Sequence, residues 1–135
     1  MIKMFVSDLD GTLFQDKIGV SERDKQALTS LYNQGVEICL ASGRMDQELV
    51  KVSQELGFEC HRVSQNGAFV RRASGKQLFE GAFLPTIAKQ IDEIATGFDL
   101  FQTISIGQSI YTKEMTAYGK IVQSRMLVRF CPESY

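Results

Sequence analysis

Met1-Ile2-Lys3-Met4-Phe5-Val6-Ser7-Asp8-Leu9-Asp10-Gly11-Thr12-Leu13 decides the fold, because an apolar run passes straight into two carboxylates, then a glycine and a hydroxyl. Ile2 to Ser7 reads as a strand, apolar enough to be covered on both faces as the strands of a parallel sheet are. Residues i and i+2 of a strand face the same side, ~6.6 Å apart along the chain, so Asp8 and Asp10 crowd negative charge at one strand end. A bound cation offsets that repulsion. A hard ion such as Mg2+ takes one or two carboxylates, keeps several waters and accepts substrate phosphate oxygens. A spare carboxylate then serves as nucleophile or as general acid and base. Gly11 permits the sharp turn that follows. The bland alternative is a surface turn, since Asp and Gly are ordinary turn formers.

Working outward, Ser21 with Asp24 three residues on signals the start of a helix over Glu22 to about Gln34, which Gly35 stops. Its sheet-facing stripe is Ala27, Leu28, Leu31 and Tyr32. A second strand, Val36 to Ala41, ends at Ser42-Gly43-Arg44. The next helix carries Met45, Leu49, Val52 and Leu56 on one face and ends before Gly57, and a third strand spans about Glu59 to Ser64. This β-α-β-α-β run with short connections predicts a right-handed parallel sheet, whose active residues sit at the strands' C-terminal ends. Asp8 and Asp10 share that edge with Ser42 and Gly43.

From Asn66-Gly67 the texture changes. Ala68 to Arg72 and Gln77 to Phe83 read as a hairpin around Ser74-Gly75. A second subdomain begins near Leu84, with Pro85 opening a helix whose stripe is Ile87, Ala88, Ile91, Ile94 and Ala95. Strands over Asp99 to Ile106 and Ile110 to Lys113 follow, then a short helix around Ala117 to Met126. The expected organisation is therefore residues 1–83 and residues 84–135. Asp16 and Lys17, in the excursion after the two acids, read as solvated surface.

Composition excludes several classes. With 44% hydrophobic and 23% charged residues among 135, the chain has ordinary globular content rather than that of a disordered one. Fifteen Lys and Arg against sixteen Asp and Glu leave a net charge of -1, no electrostatic footprint for nucleic acid or an anionic membrane. No apolar run reaches the ~18 residues of a membrane span, so the expected location is cytoplasmic. Cys39, Cys60 and Cys131 are odd in number and widely spaced, which suggests reduced thiols rather than a disulfide framework. Cys60-His61 invites a metal reading, but adjacent strand side chains point to opposite faces.

The run Asp8-Leu9-Asp10-Gly11-Thr12-Leu13, following a hydrophobic strand, resembles the first motif of the haloacid dehalogenase-like (HAD) superfamily of phosphatases and phosphotransferases. The wider chain is similar to its Cof-type branch, whose members carry a large α/β cap inserted after the third core strand. The resemblance implies a Rossmann-like α/β core, here its first three strands, plus the beginning of an α/β cap domain. It implies that Asp8 attacks phosphorus to form an aspartyl-phosphate, and that Asp10 protonates the leaving oxygen and later activates water. The Asp8 carboxylate and the Asp10 carbonyl would hold Mg2+, and Ser42 with the Gly43 N–H would bind the phosphate of a small phosphorylated metabolite. Arg44 reads equally as a phosphate contact or a solvated side chain. Asn66 resembles a residue bordering the family's substrate cleft and reads also as a plain Asn-Gly turn.

The family's neutralising lysine and its late Gly-Asp-x-x-x-Asp motif are not recognisable in this sequence. Lys113 and Lys120 fall in cap segments and take neither role. The expectation is a chain truncated within the cap, its first strand left as an exposed apolar edge that invites self-association. A non-catalytic paralogue that binds phosphate or a partner stands as the alternative to the phosphatase. A receiver-like module with an acidic pocket is a third reading, disfavoured by the Gly11-Thr12 continuation.

Overall fold

The computed structural model describes residues 2–14 and 19–131; Asp16 and Lys17 lie outside them. The chain divides into two compact units, Met1–Gly81 and Ala82–Tyr135. The first unit runs β1 (Met4–Ser7), α1 (Glu22–Asn33), β2 (Glu37–Ala41), α2 (Asp46–Leu56), β3 (His61–Ser64), a 3-10 turn (Gln65–Gly67), β4 (Phe69–Arg71) and β5 (Gln77–Glu80). Its sheet has the order β1-β2-β3-β4-β5. The first three strands are parallel, with Ser7 opposite Leu40 and Leu40 opposite Arg62, while β4 and β5 are antiparallel additions. The fold is α/β with a mixed sheet whose parallel part carries the expected Rossmann-like order.

Local chemistry explains the helices. The Ser21 hydroxyl accepts the Asp24 N–H at 3.1 Å and donates to the Asp24 carboxylate at 2.7 Å, satisfying an orphan donor of the first turn. At its far end α1 carries exposed Tyr32, which stacks on half-buried Phe58 with ring centroids 4.4 Å apart. Leu28 is its buried anchor, whereas Ala27 is exposed, because the stripe facing the sheet is narrower than the sequence pattern suggested. The expected stripe of α2 is fully engaged: Met45 at its N-cap and Leu49, Val52 and Leu56 within it are all buried, and the helix packs against β3. The Ser53 hydroxyl donates to the Phe58 carbonyl and accepts from the Cys60 N–H, tying the end of α2 to the start of β3.

Strand β1 departs from the expectation of cover on both faces. Among the described residues it pairs with β2 alone, and Met4, Phe5 and Val6 are exposed while Ser7 is buried. The apolar strand is a sheet edge, and its burial begins only where the chain reaches Ser7 and Leu9.

The second unit comprises α3 (Pro85–Ala95), β6 (Ile104–Ile106), β7 (Ser109–Tyr111), α4 (Ala117–Ser124) and β8 (Phe130–Cys131). Strands β6 and β7 form a hairpin, and β8 adds in parallel to β7. Sequence periodicity misses β8, a two-residue strand held by Gln123, whose Oε1 accepts the Phe130 N–H at 2.6 Å. Gly119 is required where it stands, since a Cβ there would lie 2.5 Å from the Phe101 ring. On α3, Ile87, Ile91 and Ile94 are exposed. Among the described residues no helix is long and apolar enough to cross a membrane.

Candidate active site at the C-terminal edge of the parallel strands

Just beyond β1 the chain alternates in exposure. Leu9 is fully buried, while Asp8 and Asp10 on either side of it are exposed, so one core side chain presents both acids on the same side. The main chain then closes tightly: the Leu9 carbonyl accepts N–H groups from Thr12 at 3.1 Å and Phe14 at 2.7 Å, and the Gly11 N–H donates to the Phe14 carbonyl. Gly11 adopts φ +77°, a left-handed conformation that costs glycine little. One Asp8 carboxylate oxygen accepts the Leu9 N–H at 2.7 Å, which fixes the direction in which the carboxylate projects.

The loop after β2 meets this turn through Arg44. Its Nε and NH2 groups donate to the two Asp10 oxygens at 2.9 and 2.8 Å, a bidentate fork between residues 34 apart in sequence. Its NH1 donates to Glu48 at 2.8 Å, and the guanidinium lies over the Phe14 ring, 5.2 Å from the centroid. The hydrogen bond from Arg44 holds the Asp10 carboxyl below its ordinary value and pushes the guanidinium's pKa upward. The solvated alternative for Arg44 is therefore not what the fold adopts, its side chain being only 11% exposed.

Ser42 is buried, and its hydroxyl accepts the Arg44 N–H at 3.3 Å. Gly43 is the point of close approach between two loops, since a Cβ there would sit 2.9 Å from Asn66 Oδ1. The Asn66 N–H donates to the Ser42 carbonyl at 3.2 Å and the Gln65 N–H to the Arg44 carbonyl at 2.9 Å, zipping the loop after β3 to the loop after β2. Gln65 and Asn66 both adopt positive φ, 50° and 56°, a costly backbone for residues with side chains. Of the sequence-derived candidates, Asp10 and Arg44 are in direct contact, and Ser42, Gly43 and Asn66 form one connected loop pair beside them.

Two members were not among those candidates. Glu48 is fully buried and also accepts the Met45 N–H at 3.2 Å; Phe14 underlies the guanidinium. An acid three residues after a helix start, spaced i to i+4 from an arginine, was a readable signal for Glu48. Nothing local marked Phe14.

Among the described residues no three His, Cys, Asp or Glu side chains cluster to hold a metal. With the Asp10 side chain in the fork of Arg44, the donors left to a cation are the exposed Asp8 carboxylate and the Asp10 main-chain carbonyl. A Mg2+ ion that keeps several waters and accepts phosphate oxygens fits such a sparse donor set.

Comparison with known proteins decides the family. The model of the haloacid dehalogenase-like hydrolases matches residues 5–133. The chain belongs to that family. It is 26% identical over 113 residues to the phosphatase YwpJ of Bacillus subtilis, covering 84% of this HAD-like chain and 40% of that protein. Among solved structures it resembles a haloacid dehalogenase-like hydrolase from Bacteroides thetaiotaomicron, with TM-score 0.80 and 26% identity over 98% of this chain and 53% of that one. It shares the fold of a HAD/COF-like hydrolase from Plasmodium vivax, with TM-score 0.81 and 20% identity over 96% of this chain and 49% of that one. The HAD-like chain thus spans about half the length, or less, of these relatives.

Proposed function

We propose that this HAD-like chain carries the nucleophile half of a Mg2+-dependent phosphatase acting on a small phosphorylated metabolite. The observation that carries the reading is the pair of exposed acids around buried Leu9, joined to the Ser42-Gly43-Arg44 loop by the Arg44–Asp10 fork. In the first step an Asp8 oxygen attacks phosphorus, the bond from phosphorus to the leaving oxygen breaks, and Asp10 protonates that oxygen. In the second, Asp10 takes a proton from water, whose oxygen attacks the aspartyl-phosphate and releases inorganic phosphate and Asp8. When bound, Mg2+ neutralises charge between Asp8 and the phosphate. Ser42 and the Gly43 N–H donate to phosphate oxygens. Because Arg44 keeps Asp10 ionised, Asp10 rests in the form that serves the second step; proton donation in the first requires the fork to open.

Residues 1–83 act as the core and residues 84–135 as the beginning of the cap in this reading, close to the division at Gly81. The free, buried Cys39 and Cys60 support a cytoplasmic setting. The open edge of β1, with Val6 56% exposed, supports self-association. Hydrolysis of a generic aryl phosphate by the chain in Mg2+, abolished in Asp8→Asn, is the expected result; undiminished hydrolysis in that variant overturns the nucleophile assignment. A folded chain that binds phosphate without turnover favours the non-catalytic alternative.

A further inference from the structure

We infer that Glu48 is a positioning residue for the phosphate site, holding the Arg44 guanidinium in place while its Nε and NH2 edge passes between Asp10 and an incoming phosphate. The inference rests on the phosphate reading above. Its grounds are the two unlike ends of the Arg44 network. Glu48 has no exposed side-chain surface, and a carboxylate at that depth persists only when hydrogen-bonded. It accepts from Arg44 NH1 at 2.8 Å and from the Met45 N–H at 3.2 Å, within the first turn of α2, where the helix favours negative charge.

At the other end the Asp10 side chain is 58% exposed. Exposed ion pairs are worth little, whereas removing one partner of a buried pair strands a charge. The order of release follows from that contrast. An anion arriving from solvent displaces Asp10, the wet partner, and leaves Glu48 bound. A phosphate presents the same bidentate acceptor geometry as a carboxylate, so the guanidinium accepts it without leaving its seat over Phe14. The exchange also opens the fork around Asp10, the change that proton donation requires.

A Glu48 that merely capped α2 would affect stability alone, so the test reads Arg44 directly. In the full chain without ligand, the Arg44 Nε–H gives a resolved, slowly exchanging NMR signal. In Glu48→Ala the exchange speeds by about tenfold, the loss of one charge-assisted hydrogen bond, and inorganic phosphate titrated in the presence of Mg2+ binds about tenfold more weakly. Glu48→Gln keeps one acceptor and falls between, which preserves the test if the alanine variant does not fold. Unchanged Nε–H exchange and phosphate affinity in both folded variants overturn the inference. Glu48-dependent Nε–H exchange in a wild-type chain that binds no phosphate upholds the hold on Arg44 and removes the phosphate reading instead.

Discussion

Leu9→Ala isolates the feature on which the acids depend. Leu9 is fully buried, and its main chain is pinned by the Thr12 and Phe14 N–H groups on its carbonyl and by Asp8 on its own N–H. Removing three carbons forfeits ~0.8 kcal/mol each, about 2.4 kcal/mol in transfer terms. A pinned backbone does not collapse into the void, so a cavity term adds, and the total is about 3 kcal/mol, within the range of buried leucine truncations. With a urea slope of about 2 kcal/mol per molar, the midpoint falls by about 1.5 M. The assay follows amide signals of Leu40, Leu49 and Val52 through a urea titration, which reports the first unit by itself. Ile94→Ala, at a side chain 68% exposed, is the control and shifts stability by no more than about 0.5 kcal/mol. A Leu9→Ala loss below about 1 kcal/mol, or one equal to the control, refutes the claim that Leu9 anchors the acid-bearing turn in the core.

Other outcomes follow from the same contacts. Gly43→Ala drives a Cβ against Asn66 Oδ1 and destabilises by about 1 kcal/mol, and Asn66→Gly relieves most of that loss in a double-mutant cycle; additive effects would separate the two loops. Burial pushes the Cys60 thiol up to about 11 from 9.0, so the folded chain holds that proton more tightly than the unfolded one. Its contribution to stability is then full below pH 9.0 and lost as pH rises toward 11, so Cys60→Ala reduces the fall in urea midpoint and leaves the part that buried Cys39, raised in the same direction, contributes. Val6→Lys places a charge on the open edge of β1 and reduces self-association in sedimentation; a monodisperse wild-type monomer contradicts the edge reading.

The legibility of this chain divides by the range of the interactions. Runs such as Asp8-Leu9-Asp10-Gly11-Thr12 and the α2 stripe are local patterns, in which side-chain period and backbone geometry act over a few residues, and both were readable. The fork from Arg44 to Asp10 spans 34 positions, and no local preference encodes it; only the shared sheet edge hinted at it. The exposed faces of Met4, Phe5 and Val6 depart from the reading of β1 as covered on both faces and agree with the reading of β1 as an apolar edge, because burial depends on what lies beside a strand, which composition of the strand does not carry. Strand β8 escaped for a different reason: two residues are too few to show a period, and Gln123 of α4, seven residues before Phe130, supplies the bond that places it.

The most direct measurement is an amide and Arg44 Nε–H shift map of the chain titrated with inorganic phosphate in the presence of Mg2+. The account predicts the largest changes at Leu9, Gly43, Arg44 and the Arg44 Nε–H, with Asp8→Asn altering the Mg2+ dependence. Shifts confined to other surfaces, or a footprint that Arg44→Ala leaves intact, would contradict it.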